Sequence, residues 1–162
     1  DYDDKYVFDD LGYNFLPSEI SAAFALIQLD HLEDNIRNRW ENFSLLQAAV
    51  SKSDNFGTIK VYDNVYTGWL AFPMILNNKL RGKRKDFQIF LEKSGVQTRT
   101  IFTGNILRQP VAKKFKWDSH DSFEVSDEVM QNGLLLGCHN QMTKEKMDFM
   151  IEKIMEAESA LA

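Results

Sequence analysis

Apolar residues recur at helical spacing over the first third of the chain, from Ile20 to Val50. No glycine or proline interrupts residues 19–53, and Pro17, Ser18 and Glu19 supply residues that favour a helix start. The pattern predicts one very long helix over residues 17–52, or two helices with a kink near Asp30. Residues 1–16 are predicted to form an extended arm and a turn.

A single helix of that size is longer than a domain of 162 residues needs. At the α-helical rise it would reach roughly 45–50 Å. One of its faces finds no obvious partner among the remaining segments. We therefore expect the helix to pack against another domain or subunit.

Shorter patterns follow in the rest of the chain. Apolar and β-branched runs predict strands, and the strongest of them contains Pro73, which favours an edge or a bulge. The predicted strands are Ile59–Tyr62, Trp69–Leu76, Val96–Phe102 and Leu134–Leu136, and the predicted helices are 83–94, 125–131 and one that begins after Thr143. Residues 53–58 are predicted as a loop and 103–123 as irregular, with a helical turn near 111–115. This order predicts an α/β or α+β sandwich over residues 53–162 with one small sheet.

Composition and charge exclude several classes of protein and site. A net charge of −5 and a pI near 5.2 argue against a nucleic-acid surface, and the basic run 79–85 is predicted to be a solvated loop. The single cysteine, Cys138, excludes an internal disulfide and a multi-cysteine metal site, so a cytoplasmic location is expected. No apolar run approaches a membrane span. The acidic start without methionine suggests a piece of a longer protein.

The stretch Val96–Pro110 carries the clearest candidate chemistry. A turn signal lies at Thr103-Gly104-Asn105, and the stretch contains no carboxylate. Its hydrogen-bond donors are Arg99, Asn105, Arg108 and Gln109. Such a set suits an anionic or polyhydroxylated ligand, because guanidinium groups match phosphate geometry. The alternative is a strand end followed by a polar surface loop.

The histidines and the cysteine do not form a catalytic set. His31 is predicted to be a surface or packing residue and His120 to lie in a solvated loop, while Cys138 is predicted to be a packed, inert thiol. His139 follows an apolar run at a predicted strand end, where ligand groups often lie. The histidine spacing matches no zinc site.

Several strings resemble one enzyme family. Leu11-Gly12-Tyr13-Asn14, Glu19–Ala23 and Gln28-Leu29 are similar to the "GYN…AA…QL" segment of DegT/StrS-type sugar aminotransferases. The strings Thr98-Arg99…Phe102–Pro110 and Asn132–His139 resemble the branch of NDP-4-keto-6-deoxyhexose 3-dehydratases. The resemblance covers nearly the whole chain but only the C-terminal portion of such an enzyme.

The resemblance implies the fold and the chemistry. It implies the C-terminal small domain of fold-type I pyridoxal phosphate (PLP) enzymes, with a small, mostly antiparallel sheet flanked by helices. The whole enzyme would use PLP or pyridoxamine phosphate (PMP) to remove the C3 hydroxyl of a nucleotide-linked 4-keto-6-deoxy sugar. The residue that faces the cofactor lies in the N-terminal domain, which these residues do not include. No catalytic residue is therefore expected in this segment, and the segment alone is expected to be inactive.

The resemblance also implies site residues. Asn14 matches an asparagine that reaches the cofactor phosphate of the neighbouring subunit, so a homodimer is expected. Leu16 stands where the family usually has a basic residue. The implied substrate-side residues are Arg99, Asn105, Arg108, Gln109 and His139.

Two other functions stay open on the sequence. The first is a sugar aminotransferase of the same family. The resemblance implies that the residue that faces the cofactor is a lysine in the aminotransferases and a histidine in the dehydratases. The second is a non-catalytic module for sugar-nucleotide binding or dimerisation. The sugar, the nucleotide, the use of an iron–sulfur partner and the pathway, whether O-antigen or secondary metabolite, are equally open.

Overall fold

The first helical segment is interrupted at His31. In the computed structural model, which describes residues 13, 15, 17–118 and 122–162, helix α1 spans Glu19–Asp30 and helix α2 spans Leu32–Val50. His31 has φ −101° and ψ 1°, and its N–H donates to the carbonyl of Gln28. The prediction of two helices with a break near Asp30 is therefore confirmed, and a single helix over 17–52 is wrong.

The chain divides into two units between Glu33 and Asp34. In the first unit α1 buries none of its residues, and large apolar side chains such as Ile20, Phe24 and Ile27 are exposed. In the second unit the C-terminal half of α2 buries Phe43 and Leu46. The same helical spacing of apolar residues predicts both helices, but only in the second unit are any of these apolar residues buried.

Four strands in the described residues form one sheet in which every pairing is antiparallel. They are β1 (Phe56–Thr58), β2 (Ala71–Leu76), β3 (Thr98–Thr100) and β4 (Gly133–Gly137), and their order is β1-β2-β4-β3. This confirms the expected small antiparallel sheet flanked by helices.

Two strand predictions need correction. The strand predicted at Ile59–Tyr62 is wrong, because the chain pairs earlier: Phe56, in the predicted loop, lies opposite Leu76 and is buried in the core. The strand predicted at Val96–Phe102 is shorter, because Ile101 already begins a turn in which its carbonyl accepts a hydrogen bond from the N–H of Gly104.

Pro73 lies in an interior strand and not at an edge. Strand β2 pairs with β1 on one side and with β4 on the other. Strand β1 ends at Thr58, opposite Met74, so no β1 residue pairs with Pro73. The missing N–H of Pro73 therefore leaves no gap in the β1–β2 ladder.

Three further helices pack around the sheet, and the first and last of them contribute buried side chains to the core. They are α3 (Arg84–Lys93), α4 (Glu124–Asn132) and α5 (Lys144–Leu161). Thr143 caps α5 as predicted, since its hydroxyl oxygen accepts a hydrogen bond from the N–H of Lys146 at 3.4 Å. The central fully buried side chains are Phe72, Phe87, Leu91, Leu134, Met147 and Ile154.

The segment between β3 and α4 has local structure of its own. Short 3₁₀ helices span Ile106–Arg108 and Pro110–Lys114, and the second confirms the predicted helical turn. A third 3₁₀ helix, Asn78–Leu80, follows β2. Within the described part of the chain, no helix is both long enough and apolar enough to cross a membrane.

Candidate functional site

An open groove of about 1240 Å³ lies along the edge strand β3. Its lining is mostly apolar and comes from β3 and the residues just before it, the start of β2, the end of β4, α3 and the first half of α5. The lining side chains that bear on recognition are Arg99, Phe102, His139, Glu145, Lys146 and Phe149. A concave, largely apolar surface with a few charged groups is typical of a small-molecule site.

The groove brings together two of the predicted substrate-side residues, Arg99 and His139. Arg99 lies on β3 opposite Leu135 of β4, and its side chain is exposed. His139 lies two residues beyond the end of β4. The antiparallel pairing of β3 with β4 is therefore what places two residues that are forty positions apart in one groove.

His139 is held in place on both its backbone and its ring. Its carbonyl accepts a hydrogen bond from the amide of Asn42 on α2 at 2.9 Å. Its ring Nδ1 accepts one from the N–H of Gln141 at 3.2 Å. Because Nδ1 acts as the acceptor, the neutral ring carries its proton on Nε2, which can serve as a donor.

The other three predicted residues lie outside the groove lining. Asn105 is 4% exposed, and its amide donates to Asp127 at 2.8 Å. Arg108 donates to both carboxylate oxygens of Asp127, from Nε at 2.9 Å and from Nη2 at 2.7 Å. Gln109 donates to the carbonyl of Thr103 at 3.2 Å. Hydrogen bonds from Arg108, and then from Asn105, lower the pKa of Asp127 below its ordinary value.

Several residues in and around the groove were not predicted from the sequence. Lys146 and Phe149 are three positions apart and share a helix face, so helical spacing after Thr143 could have indicated them. Asp127 pairs across 19 positions, and no local pattern signals that contact. Phe102 has φ 46°, an uncommon conformation for a residue other than glycine.

Those remaining candidates that the structure describes form no second site. Burial raises the pKa of the Cys138 thiol to about 11, as expected of a packed cysteine. His31 is exposed at the end of α1. Asn14, Leu16 and His120 lie outside the described residues. Among the residues that the structure describes, no three histidine, cysteine or carboxylate side chains are placed to hold a metal ion.

Comparison with known proteins gives a family match over almost the full chain. The sequence profile of the DegT/DnrJ/EryC1/StrS aminotransferase family matches residues 1–155. The lipopolysaccharide biosynthesis protein RfbH of Salmonella typhimurium is 28% identical over 96% of this chain and 36% of its own length. The chain thus spans about a third of the length of this curated relative.

Both reaction classes occur among the relatives. The GDP-4-keto-6-deoxy-D-mannose 3-dehydratase of Escherichia coli O55:H7 is 26% identical over 93% of this chain and 39% of its own length. The dTDP-4-amino-4,6-dideoxy-D-glucose transaminase of Escherichia coli is 25% identical over 83% of this chain and 36% of its own length.

A solved structure supports the fold. The crystal structure of a GDP-4-keto-6-deoxymannose-3-dehydratase with a trapped PLP-glutamate geminal diamine matches with a TM-score of 0.81 and 25% identity. The match covers 94% of this chain and 39% of that one.

Proposed function

Since this chain belongs to the DegT/DnrJ/EryC1/StrS aminotransferase family, we propose that it is the C-terminal part of a PLP/PMP-dependent NDP-4-keto-6-deoxyhexose 3-dehydratase of deoxysugar biosynthesis. The observation that carries the proposal is the sequence match to a 3-dehydratase at 26% identity over 93% of the chain, against 25% over 83% for the transaminase. The groove supports it, because it joins an apolar surface to donors for an anionic ligand.

In this proposal the groove is the substrate-side wall of the active site. The guanidinium of Arg99 and the ammonium of Lys146 attract the diphosphate of the sugar nucleotide, and Nε2 of His139 donates to one of its oxygens. Phe102 supplies an aromatic surface for a flat or apolar part of the ligand. These groups bind and orient the substrate, and none of them transfers a proton.

The cofactor contact in the proposal is Asn14, through an amide donor to the phosphate of the neighbouring subunit's PLP, and this makes the enzyme a homodimer. When bound, the cofactor supplies the electron sink for loss of the C3 hydroxyl. The groove's donors fit an anionic diphosphate, and we assign none of them to the cofactor. The 162 residues alone are expected to show no turnover.

The test is an assay of the full-length gene product with PMP and GDP- or dTDP-linked 4-keto-6-deoxy sugars. A 3-deoxy product supports the proposal, whereas a 4-amino sugar formed with glutamate supports the second candidate, a sugar aminotransferase. That candidate is favoured by the 25% identical transaminase. Absence of both products with both nucleotides would contradict both and leave the non-catalytic binding module.

A matched pair of variants tests the groove in the same assay. Arg99→Gln removes the cation on β3, and we expect KM for the sugar nucleotide to rise about ten- to hundredfold, since charge-assisted contacts to phosphate are strong. Arg37→Gln is the control, because Arg37 is exposed on α2 and pairs with Asp34 outside the groove. Equal KM values for the two variants would contradict the role of Arg99.

A further inference from the structure

The donors that follow β3 meet a carboxylate from a different element. Asp127 lies in the first turn of α4, and its side chain is 24% exposed. Its Oδ1 accepts hydrogen bonds from Asn105 and from Nε of Arg108, and its Oδ2 accepts one from Nη2 of Arg108. The fork of the guanidinium is thus matched to one carboxylate in the bidentate geometry that arginine favours.

These bonds leave little capacity for a ligand on Asn105. Its Nδ2 donates to Asp127, and its Oδ1 accepts from the N–H of Leu107 at 3.0 Å, which caps the 3₁₀ helix there. The residue is also almost fully buried. A buried amide that is satisfied on both sides fixes the backbone around it and does not bind substrate without losing these bonds.

A second contact fixes the same segment to the same helix. Gly104 packs so closely on Met130 that a Cβ at residue 104 would lie 2.3 Å from the Met130 Cβ. Asp127 and Met130 are three positions apart on α4 and therefore lie on one face. Helix α4 thus holds the segment at two adjacent points, one polar and one apolar.

The residue that this arrangement presents is Phe102. It precedes the anchored turn, is 87% exposed, and has φ 46°. The hydroxyl of Thr100 donates to its carbonyl at 3.2 Å. A left-handed conformation at a bulky residue persists only where neighbouring contacts determine it, and such residues cluster at ligand sites. Phe102 and Arg99 both line the groove.

We infer that Asp127 is a positioning residue for the groove. It holds Asn105 and Arg108, and through them it fixes the backbone that presents Phe102 to the ligand. Arg108 acts on Asp127 and not on the anionic part of the substrate. The ligand part of this inference rests on the proposed function, whereas the anchoring part does not.

The anchoring part is tested by amide hydrogen exchange on the full-length gene product without substrate. Asp127→Asn keeps the shape of the side chain and removes its charge. We expect faster exchange at the amides of Gly104 and Leu107, with the amides of β2 and α5 unchanged. Glu128→Gln is the control, because Glu128 is the next residue of α4 and pairs instead with Arg81 and Asn132. Unchanged exchange at both amides in Asp127→Asn would overturn the inference.

The ligand part is tested by a double-mutant cycle on the affinity for two probes, GDP-mannose and dTDP-glucose. Asp127→Asn and Arg108→Gln should each raise Kd by about tenfold or more, because each displaces the backbone that presents Phe102 to the ligand. The Kd of the double variant should not exceed the higher of the two single-variant values. Additive losses would show that Arg108 contacts the ligand directly and would overturn the inference. If neither probe binds the wild-type protein, the proposed function fails for these nucleotides, and the exchange experiment alone decides the role of Asp127.

Discussion

Met130 closes over Gly104, with its Cα 2.5 Å and its Cβ 2.3 Å from the position that a Cβ of residue 104 would take. Gly104 also has φ 64°, so two separate constraints require glycine at this turn. The first constraint is local, and the turn signal in the sequence already indicates it. The second depends on α4, which begins twenty residues later in the chain.

Gly104→Ala should therefore destabilise the protein by more than the backbone conformation alone requires. A left-handed alanine costs about 1–2 kcal/mol, and the overlap with Met130 adds about 1–3 kcal/mol as in other overpacked sites. The free energy of unfolding from urea denaturation measures the sum. Gly82→Ala is the control, because Gly82 has φ 80° and open space around its Cβ position. Equal losses for the two variants would show that Met130 relaxes without cost.

Thr143 should stabilise α5 in a way that depends on pH. Thr143→Ala removes the hydroxyl that accepts from the N–H of Lys146, and a lost N-cap costs about 0.5–2 kcal/mol. Thr143→Ser keeps the hydroxyl and should be close to neutral. Urea denaturation at pH 7 distinguishes the two variants, and equal loss in both would contradict the capping role.

The pH dependence follows from Glu145. A hydrogen bond from its own backbone N–H, and then one from the Thr143 hydroxyl, lower the pKa of Glu145 below its ordinary 4.5. A lowered carboxyl pKa adds stability above the ordinary value, and that stability is lost as the pH falls through the folded-state pKa. The stability difference between wild type and Thr143→Ala should accordingly shrink below about pH 4.5. Titration of the Glu145 carboxyl by NMR should give a higher pKa in Thr143→Ala than in wild type.

Cys138 should be unreactive in the native protein. Its side chain is fully buried, its thiol lies 3.6 Å from the carbonyl of Trp69, and burial raises its pKa to about 11 from the ordinary 9.0. Because the thiolate is the reactive form, a disulfide reagent at pH 8 should label Cys138 only after denaturant is added. Rapid labelling of the native protein would contradict the packing.

The raised pKa of Cys138 also predicts how its contribution to stability changes at alkaline pH. Since the folded state keeps the thiol neutral, the contribution of Cys138 is intact below pH 9 and is lost as the pH rises toward 11. Urea midpoints of wild type and Cys138→Ala, compared at pH 8 and pH 10.5, should converge at the higher pH. A constant difference would contradict the shift.

Much of the fold could be predicted from the sequence because its signals are local. The break near Asp30, the apolar run around Phe72 and the cap at Thr143 each depend on residues within a few positions of one another. Strand β1 could not be predicted, because Phe56 becomes a strand residue only by pairing with Leu76, twenty positions away. Local propensity does not contain that pairing.

In the candidate site, too, local features could be predicted from the sequence and tertiary contacts could not. The donors of Val96–Pro110 were visible in the sequence, and the structure places Arg99 and His139 in one groove. What the sequence could not indicate is which donors already have partners. Asp127 is a surface-type residue in a short amphipathic helix, and only the tertiary fold places its carboxylate beside Arg108. The same fold holds Phe102 in a conformation that its residue type disfavours.

Phe43 should be one of the most costly positions in the second unit. Its ring is fully buried on α2 and stacks on Trp69, with ring centroids 4.2 Å apart and an angle of 13° between the planes. It also meets Phe72 of β2 edge to face at 5.1 Å, so it joins α2 to the sheet. Phe43→Ala should reduce the free energy of unfolding by about 3–5 kcal/mol, because it removes a large buried ring and leaves a cavity.

Leu45→Ala is the matched control for this loss. Leu45 lies two positions later on α2 but is 46% exposed, so its truncation should cost about 0.5 kcal/mol or less. Urea denaturation followed by tryptophan fluorescence reports on Trp69 together with Trp40 and Trp117. Phe43→Leu should fall between the two alanine variants because it fills part of the space. Similar losses for Phe43→Ala and Leu45→Ala would mean that the aromatic cluster does not carry the contact between α2 and the sheet. A large loss of unfolding free energy in Phe43→Ala, a smaller loss in Phe43→Leu and almost none in Leu45→Ala would assign that contact to the stacked rings.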